Sequence, residues 1–127
     1  MSSGNFSRRE FFAENWSVEV ANGAESALWT FTVPAKCVLQ FESFGNYLGT
    51  VAAWGTAYFY LTQNGVPVEF YGGTPFIYDQ VGYAAQRQKI ENKIFGGGTR
   101  LVFMGNNPTA AALDMGVGLG YYLIYQE

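Results

Sequence analysis

The sequence predicts an all-β protein: an antiparallel two-sheet β-sandwich, a jelly roll of about eight strands. Three observations carry that prediction. Runs of aromatic and β-branched residues, roughly five to nine long, recur between breaks of Gly, Pro and Asn, the spacing of sandwich and barrel strands. Helical periodicity is nearly absent. The chain has 127 residues, the length of one domain with one core, in which eight strands suffice for two packed sheets. An immunoglobulin-like sandwich is the alternative, but Cys37 is the sole cysteine and the pair usual in antibody domains is missing.

Residues 1–16 read as an N-terminal arm and residues 17–127 as a single sandwich domain. Within the arm, Ser7 and Glu10 have the spacing of a capping box and predict a short helix over about residues 8–14. Ser7-Arg8-Arg9 also resembles the start of a twin-arginine export signal. The match fails downstream, where Glu14 and Glu19 fall in the stretch that should be apolar.

Beyond the arm, Ala27 to Val33 alternates, with Ala27, Trp29, Phe31 and Val33 inward and Thr30 and Thr32 outward. Pro34 ends the strand because it cannot donate to a ladder. Cys37 to Phe44 follows, Gly45-Asn46 predicts a turn, and Tyr47 to Ala53 a weaker strand closed at Gly55. Ala57 to Gln63 and Val66 to Tyr71 flank Asn64-Gly65, a type I′ hairpin signal because both residues accept positive φ. Pro67 favours an edge position or a strand start. Gly72 to Pro75 makes a loop and Phe76 to Tyr78 a short strand.

Residues 84–95 gather good helix formers, with Ile90 and Ile94 four apart and Gly96 placed to cap, and predict a short helix. A polar strand leading into a Gly96-Gly97-Gly98 hairpin is the other reading. Thr99 to Met104 is a strand, Gly105 to Pro108 a loop, and Val117 to Tyr125 the last strand. Leu119, Tyr121 and Leu123 occupy one face of that strand and Tyr122 and Ile124 the other, so both faces require cover.

Composition narrows the function. The chain is 49% hydrophobic and 18% aromatic, with 11 Phe, 9 Tyr and 3 Trp, but only 13% charged, against about a quarter in ordinary domains. A surface so poor in charge suits contact with other proteins, because charge is costly to desolvate. A net charge of −3 with seven scattered basic residues argues against nucleic acid. No stretch approaches the ~18 apolar residues of a membrane span. Histidine is absent, which removes the commonest general base and metal ligand. Cys37 alternates with Leu39 and Phe41 and reads as a small buried hydrophobe, in keeping with folding in a reducing cytoplasm.

No nucleophile elbow is present, and no triad can form without histidine. Gly96-Gly97-Gly98 precedes a strand, whereas a phosphate loop opens onto a helix. Glu42, Glu69, Asp79 and Asp114 are candidate acids for a glycosidase pair, but their spacing selects no two of them. No Asp-x-Asp pattern suggests calcium. The sequence therefore predicts a protein that is not an enzyme and has no catalytic, cofactor or metal site. Its aromatics are the remaining feature. Trp29 belongs to the core, whereas Trp54, Tyr58, Tyr60, Tyr71 and Tyr122 are candidates for a contact surface, since each covers a large area for few frozen torsions.

The short N-terminal arm, Leu28-Trp29-Thr30-Phe31-Thr32-Val33-Pro34, the Leu61 to Pro67 hairpin, Gly97-Gly98-Thr99-Arg100-Leu101 and the terminal Leu119-Gly120-Tyr121-Tyr122-Leu123-Ile124 together give the chain a resemblance. In style, residues 17–127 resemble the jelly-roll virion proteins of tailed bacteriophages, of the head decoration or cement type. Trimeric jelly rolls of the tumour-necrosis-factor and complement type share the Gly-aromatic final strand. The phage resemblance implies a homotrimer located in the virion, cementing the capsid between major capsid protein subunits, with Phe11, Phe12 and Trp16 gripping the major capsid protein. The alternative is a carbohydrate-binding or receptor-binding module of a phage tail or baseplate, with a glycan stacked on Trp54 and the tyrosines.

Overall fold

The computed structural model describes residues 8–83 and 85–126. It has eight strands: β1 (Arg8–Val20), β2 (Ala24–Thr32), β3 (Cys37–Leu48), β4 (Tyr58–Gln63), β5 (Val66–Val68), β6 (Gln88–Gly96), β7 (Arg100–Asn107) and β8 (Leu113–Tyr125). Their pairing is nested. β4 pairs β5, β3 pairs β6, β2 pairs β7 and β1 pairs β8, all antiparallel, as if the chain were one long hairpin. The tip of that hairpin is Asn64-Gly65, with φ of 51° and 87°, the type I′ turn that the sequence signals. The Asn64 side-chain oxygen accepts from the Arg100 amide at 2.9 Å, which ties the tip to the start of β7.

Rolling this ladder brings β3 against β8 and β4 against β7. Two four-stranded sheets result, in the orders β1-β8-β3-β6 and β2-β7-β4-β5, and that arrangement is a jelly roll. The core lies between them and is rich in rings. Trp29 meets Phe41, Phe103 and Tyr121, and Phe70 stands edge-on to Phe41, Phe44 and Phe103 at 4.9 to 5.2 Å. Cys37, Leu39 and Phe41 are buried together, as their alternation predicts.

Several elements depart from the sequence reading. No helix forms at residues 8–14. From Arg8 onward the expected arm is the first part of β1, paired with β8 along its whole length, while Ser7 of the capping box lies outside the described residues. The long-range ladder overrides the local capping signal. Of the helix expected over 84–95, residue 84 lies outside the described residues and the stretch from Gln88 onward is β6, so the polar strand entering the Gly96 turn is the form adopted. A bulge in its pairing with β3 sets Phe41 opposite Lys93 but Ser43 opposite Lys89. That shift turns Ile90 and Phe95 inward together and leaves Ile94 60% exposed, which hides the period of two.

A bulge between Ala27 and Trp29 likewise buries Leu28 beside Trp29 and leaves Ala27 exposed, contrary to strict alternation. Gly45-Asn46 makes no turn, because β3 runs through it to Leu48 and Val51–Ala53 forms a short 3-10 turn where a strand was expected. Asn46 is wholly buried. Its side chain donates to the Asp79 carbonyl at 2.9 Å and accepts from the Val81 amide at 2.8 Å, pinning the 79–81 segment to the sheet.

Candidate interaction surfaces

The two open sides of the sandwich differ in kind. On one, β5 and β6 are the edge strands. β5 has three residues, including Pro67, and β6 carries Lys89, Glu91 and Lys93. Short strands, proline and charge all discourage further pairing. The segment after β5 then folds back over the gap. Phe70, 2% exposed, fills the space between the sheets, and Glu69 binds Lys93 of β6 at 2.6 Å. That lysine, as hydrogen-bond donor and as charge, holds the Glu69 carboxyl below its ordinary range, against a smaller opposing effect of burial.

On the other side the edges are β1 and β2, of 13 and 9 residues, with neither Pro nor Gly in either strand. No segment of the described chain folds over them as 69–81 does opposite. A groove of about 320 Å³ runs between the two strands, lined by Glu14, Trp16 and Val18 of β1 and Leu28, Trp29 and Thr30 of β2. Trp16 is 54% exposed. Glu14 is a charge facing inward on an edge strand, a common protection against pairing. Here its two oxygens are already engaged, one by the Trp16 indole N–H at 3.1 Å and the other by the Tyr121 hydroxyl. Burial, and then that bond to Glu14, push the Tyr121 hydroxyl pKa well up.

A third surface is the outer face of the β2-β7-β4-β5 sheet. Tyr58 and Tyr60, two apart on β4, point outward while Phe59 and Leu61 point into the core. Phe76 stands edge-on to both tyrosines at 5.3 and 5.4 Å, and Tyr78 packs on Tyr58 at 5.1 Å. Tyr60 donates to the Glu25 carboxylate at 2.5 Å. Burial, joined by that bond, raises the Tyr60 hydroxyl pKa, and burial with the neighbouring Tyr78 raises that of Tyr58.

The five residues expected to form a contact surface, and the three expected in a gripping arm, therefore separate. Tyr58 and Tyr60 share the aromatic face, and Trp16 lines the β1/β2 groove. Phe11 and Tyr122 pack together at 5.1 Å on the outer face of the other sheet, where the Arg9 guanidinium lies 4.3 Å from the Tyr122 ring centre. The second face of β8 thus finds part of its cover within the chain. At Gly120 a Cβ would collide with Ser43 and crowd Arg87 and Phe11, so glycine there makes room for side chains crossing the sheet. Phe12 turns the other way and stacks on Tyr121 at 5.6 Å. Trp54 is half-buried against Phe59, and Tyr71 lies in the 69–81 segment.

Sequence reasoning missed Phe76, Tyr78 and Val18 as surface groups. The alternation Phe76-Ile77-Tyr78 was the signal for the first two, since Ile77 pairs with Phe59 and is buried while its neighbours face out. Among the described residues no group of three or more Cys, Asp or Glu is placed to hold a metal ion, and no helix is long and apolar enough to cross a membrane. No protein-family model matches the chain, and no curated protein matches it.

Proposed function

We propose that this jelly roll is a non-catalytic structural protein that works by assembly, binding further copies of itself through its β1/β2 side. One observation carries the reading: that side pairs two long edge strands, free of Pro and Gly, with a groove that no described segment covers and from which Trp16 projects. Covering the exposed half of the Trp16 ring would contribute about 2 to 3 kcal/mol per contact, more than an exposed ion pair offers at ~0 to 1 kcal/mol. The likeness to phage jelly-roll virion proteins supplies the setting. In it the chain forms a homotrimer that decorates or cements a capsid, seated between major capsid protein subunits in the virion.

Mass in solution tests this. A ring of three requires the β1/β2 side to meet a different surface of its neighbour, whereas pairing of that side with itself closes as a dimer. Light scattering at micromolar concentration should give a trimer for the native chain and a monomer for the Trp16→Lys, Val18→Lys double variant. A native monomer would overturn the assembly reading, and a dimer would overturn the ring.

A further inference from the structure

The segment that closes the β5/β6 side also shapes a shallow groove of about 370 Å³, within the size range of small-ligand sites. Three partly exposed rings, Tyr71, Phe76 and Tyr78, line it together with Thr74, Asp79 and Gln80. We propose that this groove binds a neutral oligosaccharide, a function separate from the assembly through β1 and β2.

The lining decides the ligand class. A sugar ring has an apolar C–H face, slightly positive, and a rim of hydroxyls. Aromatic faces are negative at their centres and take the first. Carboxylate, amide and hydroxyl groups take the second, most strongly where the acceptor is charged, as at Asp79. No Lys or Arg lines the groove, and Asp79 brings negative charge, so sialylated or sulfated sugars are repelled. A protein partner of basic character would suit the charge, but three rings around a small concavity fit a single ring ligand better than a flat protein surface.

The groove is also held in shape before any ligand arrives. Asn46, buried and bonded through both ends of its amide, fixes the backbone of Asp79 and Val81. Tyr71 pairs with Thr74 across the Gly72-Gly73 turn, and Ile77 bonds to Phe59 in both directions at 2.8 and 2.9 Å. Rigid placement lowers the entropy cost of binding.

The test is to present the full chain to immobilised β-glucan, α-mannan and galactan oligosaccharides and to sialylated and sulfated galactans. Retention on at least one neutral class is expected, with none on the anionic sugars. Tyr71→Ala and Asp79→Asn should each weaken retention by about tenfold or more, the effect of removing a stacking ring or a charged acceptor, with the circular dichroism of the native chain preserved. Absence of binding to all three neutral sugars would overturn the proposal. So would a preference for the anionic sugars, or binding that survives both substitutions. A fall in oligomer mass caused by Tyr71→Ala would also overturn it, by showing that a neighbouring protein copy covers the groove.

Discussion

The β5/β6 and β1/β2 sides pose the same physical problem and solve it differently. Each is a gap between two sheets flanked by two strands with unpaired edges. On the first, the chain supplies its own cover: Phe70 fills the gap, Glu69 and Lys93 bridge it, and Pro67 and the charges of β6 blunt the edges. On the second, Trp16 and Val18 close the gap only in part, and the strands are long. Natural sheets protect edges that are meant to stay free. The proposed assembly through the β1/β2 side rests on this contrast.

The largest expected effect lies on the closed side. Phe70→Ala removes a ring packed against Phe41, Phe44 and Phe103 and should cost about 3 to 5 kcal/mol, measured by urea unfolding of the isolated subunit. Trp16→Ala on the open side should change that subunit stability by under about 1 kcal/mol while weakening association at least tenfold. Equal effects on subunit stability from the two substitutions would erase the distinction between the sides.

Next in size is Tyr121→Phe, expected to cost about 1 kcal/mol through the lost bond to Glu14. The loss of this hydroxyl also changes the response to pH. The Tyr121 hydroxyl pKa is raised in the folded chain, so its contribution is complete below the unfolded value of 10.0 and declines as pH rises beyond it. Alkaline unfolding of the native chain should therefore be shallower in Tyr121→Phe.

The smallest effect belongs to the Glu69–Lys93 bridge, which is partly exposed. The Glu69 carboxyl pKa is lowered, so its contribution is present above the ordinary glutamate range and lost as pH falls through the folded value. Native chain and Glu69→Gln should differ slightly at neutral pH and converge in acid. A gap that widens in acid would contradict the sign.

The sequence made the all-β class, the Asn64-Gly65 tip and the buried face of Cys37, Leu39 and Phe41 legible, because each rests on local rules of turn and alternation. β1 and β6 were hidden by the opposite cause. A capping-box spacing at Ser7 and Glu10 and a helix-like Ile90–Ile94 pair are local signals that pairing with β8 and β3 overrides. The total of about eight strands held only because two misread helices offset two expected strands, 47–53 and 76–78, that do not form as such. The aromatic candidates were recognised as residues but not as surfaces. Which rings share a face depends on registers, such as Phe11 opposite Tyr122 and Phe59 opposite Ile77, that no single segment encodes.

Amide hydrogen exchange at two protein concentrations reports which side of the sandwich is covered as copies meet. Raising the concentration should protect amides of β1 and β2 and leave those of β5, β6 and the 69–81 segment unchanged. Protection that ignores concentration, or that arises on the β5/β6 side, would contradict assembly through the β1/β2 side.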